Sequence, residues 1–148
     1  MADQTGLPPN QETALLLIAD GASKGRYSLD TIRLMKGAFL VEQLGPSDWK
    51  ELFDFRPYRF GPFDSSVYTV RDQMVRDGYL ERHGTGRYAT YVLTSEGEAQ
   101  AAKLAPTDEK LTEWLRSIGR WVSGKSFSDL LDEIYARYPD FAKNSVMR

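Results

Sequence analysis

Residues 55–94 read FRPYRFGPFDSSVYTVRDQMVRDGYLERHGTGRYATYVLT, and this stretch decides the fold. Val67, Val70 and Met74 recur at spacings of three and four, which puts them on one face of an amphipathic helix. Asp64 or Ser65 can cap the start of that helix, and Gly78 ends it. Tyr79–His83 and Tyr88–Leu93 follow as two β-type runs, and Gly84-Thr85-Gly86 between them supplies the positive φ that hairpin turns require. Upstream, the alternating run at 55–60 contains Pro57, which has no N–H for a ladder bond, so an edge strand or extended loop is expected. Gly61-Pro62 reads as a turn into the helix.

The order helix, strand, hairpin tip, strand predicts the working half of a winged helix-turn-helix. The flanking sequence supplies further helices. Asn10 can cap a first helix, whose run Ala14–Ala19 is dense enough in apolar residues for burial on more than one side. A second helix is expected from Ser28 to Leu44, with Ile32, Met35, Phe39 and Leu40 inward and Arg33 and Lys36 on the more polar side; Gly45-Pro46 stops it. The segment Trp49–Phe63 is the most aromatic part of the chain, and 49–55 reads as a short helix or the start of a strand. Thr94 or Ser95 caps a fourth helix, with Ser95-x-x-Glu98 as a capping box, and Pro106 breaks it. Thr107 opens another helix, striped by Leu111, Trp114, Leu115, Ile118, Trp121 and Val122. Ser126-x-x-Asp129 then starts a last one that runs to Pro139.

The expected fold is therefore mainly α with a small β-hairpin wing, a winged helix-turn-helix with extra C-terminal helices. Residues 1–9 are expected to form a flexible tail, 10–104 the winged-helix domain, and 105–148 a helical extension of the same globular unit. That extension has two uses, closure of the core and pairing as a homodimer, since Trp and Tyr are favoured interface anchors.

Composition narrows the functional classes. The 148 residues are 41% hydrophobic and 27% charged, the balance of a soluble globular protein. No apolar run is long enough to span a bilayer, the N-terminal MADQTGLPPN lacks the pattern of a secretory signal, and there is no cysteine, so a cytoplasmic protein without disulfides or thiolate metal sites is expected. Net charge is −2, but it is uneven. Residues 56–93 hold six arginines (56, 59, 71, 76, 82 and 87) against four acids, while both flanking segments are acidic. The one positive segment coincides with the helix and hairpin, a polarity that suits a nucleic-acid face.

Catalytic chemistry has little to build on. The single histidine, His83, sits beside the hairpin tip with no ligand at metal-binding spacing, and an exposed wing histidine suits solvent or phosphate contact. Gly84-Thr85-Gly86 lies between strands and matches neither phosphate-binding glycine motif. There is no GxSxG elbow. A non-enzyme without cofactor or metal is expected. The helix offers Ser65, Ser66, Thr69, Arg71, Gln73 and Arg76, residue types that contact phosphates and base edges, and the wing offers Arg82, His83 and Arg87.

Several segments also carry a family resemblance. YVLTSEG at 91–97 is similar to the strand-into-helix corner of MarR-like and PadR-like winged-helix regulators. IRLMKGAFLVEQL (32–44), YRFGPFDSSVY (58–68), DGYLER (77–82) and LLDEIYARYPDFAKNSV (130–146) together resemble YwgA-like bacterial winged-helix proteins and, more distantly, the Panacea-type antitoxin domain. Here Met35 and Gly37 flank Lys36, where those groups carry an LQKL-like run. The resemblance implies the fold and a regulatory or defence-related setting, with no substrate. The expected function is thus a DNA-binding transcriptional regulator whose partner is duplex DNA. The alternative is a protein-interaction module, antitoxin-like or complex-assembling, that holds a protein partner through the aromatic segment 49–63 or the C-terminal helices.

Overall fold

The computed structural model of the protein describes residues 10–59 and 61–142. The expected N-terminal tail and the end of the 130–146 motif lie outside the described residues. The chain is mainly helical, with a three-stranded and a two-stranded antiparallel sheet.

The first helix, α1 (Gln11–Ala22), starts as its sequence dictates: Asn10 Oδ1 accepts the Thr13 N–H at 2.8 Å. Thr13 through Ala19 are all buried, so α1 runs through the interior and is not one-sided. The chain then forms a two-residue strand, β1 (Leu29–Asp30), before α2 (Thr31–Leu44). The expected start at Ser28 is therefore corrected. The Asp30 carboxylate accepts the Arg33 N–H at 2.8 Å and caps α2, while Leu29 pairs with Tyr91 far along the chain.

Helix α2 overturns a second expectation. Arg33 and Lys36 are buried at 7% and 2% exposure, not solvated on a polar side. The helix packs against α1 and four later elements, so no face of its middle is left for water. Arg33 donates from Nη1 to Asp30 Oδ2 at 2.7 Å and from Nη2 to the Lys125 carbonyl at 2.9 Å, while its buried Nε has no hydrogen-bond partner among the described residues. The Lys36 ammonium donates to the Pro62 carbonyl at 3.3 Å, and among the described residues this is its one hydrogen bond.

After the single turn α3 (Ser47–Lys50) comes a ribbon of β2 (Arg56–Tyr58) and β3 (Gly61–Phe63), with Pro57 opposite Pro62. Gly61-Pro62 is thus strand, not the turn expected, and each proline of the pair lacks an N–H of its own. Gly61 has φ +91°, and a Cβ there would meet the Tyr135 ring at 3.1 Å and Lys36 Cε at 3.4 Å. Trp49, Phe53 and Phe55 are buried in the core, whereas Tyr58 of the same aromatic segment is half-exposed.

Helix α4 (Ser66–Arg76) leads into the hairpin β4 (Leu80–His83) and β5 (Thr90–Leu93), and β5 lies between β1 and β4. Gly84 and Gly86 have positive φ, and a 3₁₀ turn at Gly86–Tyr88 completes the tip. Helix α5 (Ser95–Leu104) is capped by Thr94, whose Oγ1 accepts the Gly97 N–H at 2.9 Å. Ser95 turns to Glu96 instead, so the capping box expected at Ser95 does not form.

Helix α6 (Glu109–Ser123) crosses α1 at very close range. A Cβ on Gly119 would lie 2.0 Å from the Ile18 carbonyl oxygen, and one on Gly21 would lie 1.9 Å from that of Arg116. Its stripe points into the core through Leu115, Ile118 and Val122, with Leu111, Trp114 and Trp121 half-buried at the margin. The last helix, α7 (Phe127–Arg137), is capped by Ser126 Oγ, which accepts the Asp129 N–H at 3.1 Å. No helix among the described residues is long and apolar enough to cross a membrane.

Candidate nucleic-acid interface

The nine candidate contact residues divide by where the fold sends them. Ser65, Thr69, Gln73 and Arg76 are exposed on one face of α4. Arg76 Nη2 donates to Gln73 Oε1 at 2.9 Å, and Gln73 Nε2 donates to Asp77 Oδ1 at 2.9 Å, so a short exposed relay runs along the end of the helix. Ser65 makes no cap bond; Asp64 takes that role, accepting the Ser66 N–H at 2.9 Å and the Asp54 N–H at 2.7 Å.

Ser66 and Arg71 turn toward the fold. Ser66 Oγ accepts Gln11 Nε2 at 3.1 Å, which ties α4 to α1. The Arg71 guanidinium bonds Asp72 Oδ1 and Thr31 Oγ1, each at 2.9 Å, and lies 4.8 Å over the Tyr68 ring and 5.4 Å over Tyr91. It joins α4 to the start of α2 and to the sheet. Of the hairpin residues, Arg82, His83 and Arg87 are all exposed. His83 Nε2 is 2.9 Å from Glu81 Oε1, and Arg87 lies 5.2 Å over the Tyr88 ring.

Helix and hairpin enclose a groove of about 660 Å³, lined by Tyr68 and Arg71 from α4 and by Arg82, Arg87, Tyr88 and Tyr91 from the hairpin. Asp30, Thr31 and Ile32 at the start of α2 and Phe127 complete the lining. The three tyrosines are the site residues that the sequence reading missed. The available signal was their placement beside arginines, Arg87-Tyr88 as neighbours and Tyr68/Arg71 one helical turn apart.

Electrostatically, Arg71, Arg76, Arg82 and Arg87 face Asp72, Asp77 and Glu81 in the same region. Among the described residues Arg76, Arg82 and Arg87 form no ion pair, whereas Arg71 is matched by Asp72. The free cations thus lie along the exposed helix face and the hairpin. No cluster of metal-ligating side chains occurs among the described residues.

Comparison with protein-family models, curated proteins and solved structures finds no match in any of the three.

Proposed function

We propose that the protein is a winged-helix DNA-binding protein of the regulatory type, in which α4 enters the major groove and the β4–β5 hairpin lies along the neighbouring backbone. The observation that carries this reading is the joint exposure of Thr69, Gln73 and Arg76 on α4 and of Arg82, His83 and Arg87 on the adjacent hairpin. Gln and Arg are suited to base edges, and the unpaired arginines to phosphates. An eleven-residue helix packed on the core through Val67 and Met74 presents its opposite face with a fixed orientation. The interaction-module alternative keeps the exposed Tyr58 and the half-buried Trp114 and Trp121 of α6 as candidate contacts, whereas Trp49, Phe53 and Phe55 are committed to the core.

Duplex DNA titrated at two salt concentrations tests the proposal. Binding weakens as salt rises, because phosphate contacts release counterions. The double substitution Arg76→Ala with Arg87→Ala weakens binding at low salt and lowers the salt slope by about 2, roughly one unit for each phosphate contact removed. Absence of salt-sensitive binding at low ionic strength rules the proposal out.

A further inference from the structure

The groove between α4 and the hairpin has a chemistry that a duplex backbone does not use. Its lining includes a buried Tyr91 and two exposed tyrosines, Tyr68 from α4 and Tyr88 from the hairpin. Tyr88 is 79% exposed, a large ring held out of the core at the mouth of a cavity. Bases inside a duplex are already stacked on each other, so they have no π-face to offer these rings. An unpaired base does.

The charges in the groove are equally specific. Its one carboxylate, Asp30, is engaged by Arg33 at 2.7 Å, and Arg71 is neutralised by Asp72. Arg82 and Arg87 remain, and neither forms an ion pair among the described residues, which leaves an excess of two positive charges. A phosphate monoester carries between one and two negative charges near neutral pH. The volume of about 660 Å³ is within the range of small-molecule sites and is larger than a lone aromatic ring needs. Thr31 lines the same space, its hydroxyl accepting from Arg71 Nη1 at 2.9 Å.

We infer that this groove is a binding site for a nucleoside phosphate, with the base stacked against Tyr88 and Tyr68 and the phosphate held by Arg82 and Arg87. Base–aromatic stacking and charge-assisted arginine bonds to phosphate are the two interactions that the lining supplies. The same chemistry comes from a free mononucleotide or from the unpaired end of a single strand. The inference stands apart from duplex binding, but because Arg82 and Arg87 serve both, a nucleotide in the groove displaces a duplex from the hairpin.

Calorimetric titration of the full chain with adenosine 5′-monophosphate, adenosine and ribose 5-phosphate separates the two interactions. The monophosphate binds saturably with one site per chain, and each of the other two binds at least about fivefold more weakly, since each lacks one of the two interactions. Tyr88→Ala brings the monophosphate toward the affinity of ribose 5-phosphate, and Arg87→Gln brings it toward that of adenosine. Both positions are exposed, so circular dichroism stays unchanged. A five-nucleotide single strand that binds more than about tenfold tighter than the monophosphate identifies a strand as the source, and equal affinity identifies the free nucleotide. Ribose 5-phosphate binding as tightly as the monophosphate, wild-type affinity in Tyr88→Ala, or no saturable binding of the monophosphate each overturns the inference. Nucleotide binding without any duplex binding leaves the groove assignment standing and removes the DNA proposal; duplex binding without nucleotide binding does the reverse.

Discussion

Burying the amine of Lys36 costs the fold stability in a way that pH reveals. Removal from water is the main cause that pulls its pKa from the ordinary 10.5 down to about 7, and the Asp30 carboxylate offsets only part of this. Between pH 7 and 10.5 the unfolded chain keeps a proton that the folded chain has released. Stability from this group therefore rises with pH across that window and is lost as pH falls through 7. Lys36→Met keeps most of the side-chain volume and removes the charge. Urea unfolding at pH 6, 8 and 9.5 should find the variant more stable than wild type at pH 6, by on the order of a few kcal/mol, with the difference shrinking toward pH 9.5. A difference that does not change with pH would show that the amine keeps its proton, and so its hydration, in the fold. The opposing loss is the hydrogen bond to Pro62, about 1–3 kcal/mol if the carbonyl stays dry.

At the scale of elements, the tie between helix end and helix start is concentrated in Thr94. Its Oγ1 accepts the Gly97 N–H and donates to the Gly78 carbonyl at 2.6 Å, so one hydroxyl caps α5 and fastens the end of α4. Thr94→Ala is expected to cost about 1–2 kcal/mol, measured by denaturant unfolding, whereas Ser95→Ala, which removes no cap, should cost less than about 0.5. The contrast explains what could be read from the chain in order. Helix α4, the hairpin with its glycines, and the caps at Asn10 and Ser126 are local features, set by residues within a turn or two of each other. So they are legible. Strand β1 exists because Leu29 meets Tyr91, and the burial of α2 on all sides exists because α1, α6 and the β2–β3 ribbon arrive from distant sequence. Periodicity within α2 carries no trace of those partners, which is why Arg33 and Lys36 read as polar-face residues. The candidate site divides the same way: exposure of Gln73 and Arg76 follows from helical spacing, but the tyrosine-lined groove forms only when hairpin and helix meet.

For the whole molecule, the contact between α1 and α6 decides whether there is a fold at all. The helices approach so closely that Gly119 touches the backbone of α1, and the buried run Thr13–Ala19 has no comparable partner among the other described elements. Gly119→Ala places a methyl 2.0 Å from a backbone oxygen, which only separation of the helices can relieve. A loss of about 3 kcal/mol or more is expected, read as a lowered unfolding midpoint, since the clash is with main chain and not with a movable side chain. The same contact has a meaning for synthesis on the ribosome. Helix α1 is made at residues 11–22, and its partner only at 109–123. At elongation rates of about 5–20 residues per second, the most apolar helix of the protein waits on the order of 5–20 seconds for its cover. During that interval the apolar run of α1 has no α6 to pack against, which makes it a target for chaperones that hold exposed hydrophobic surface.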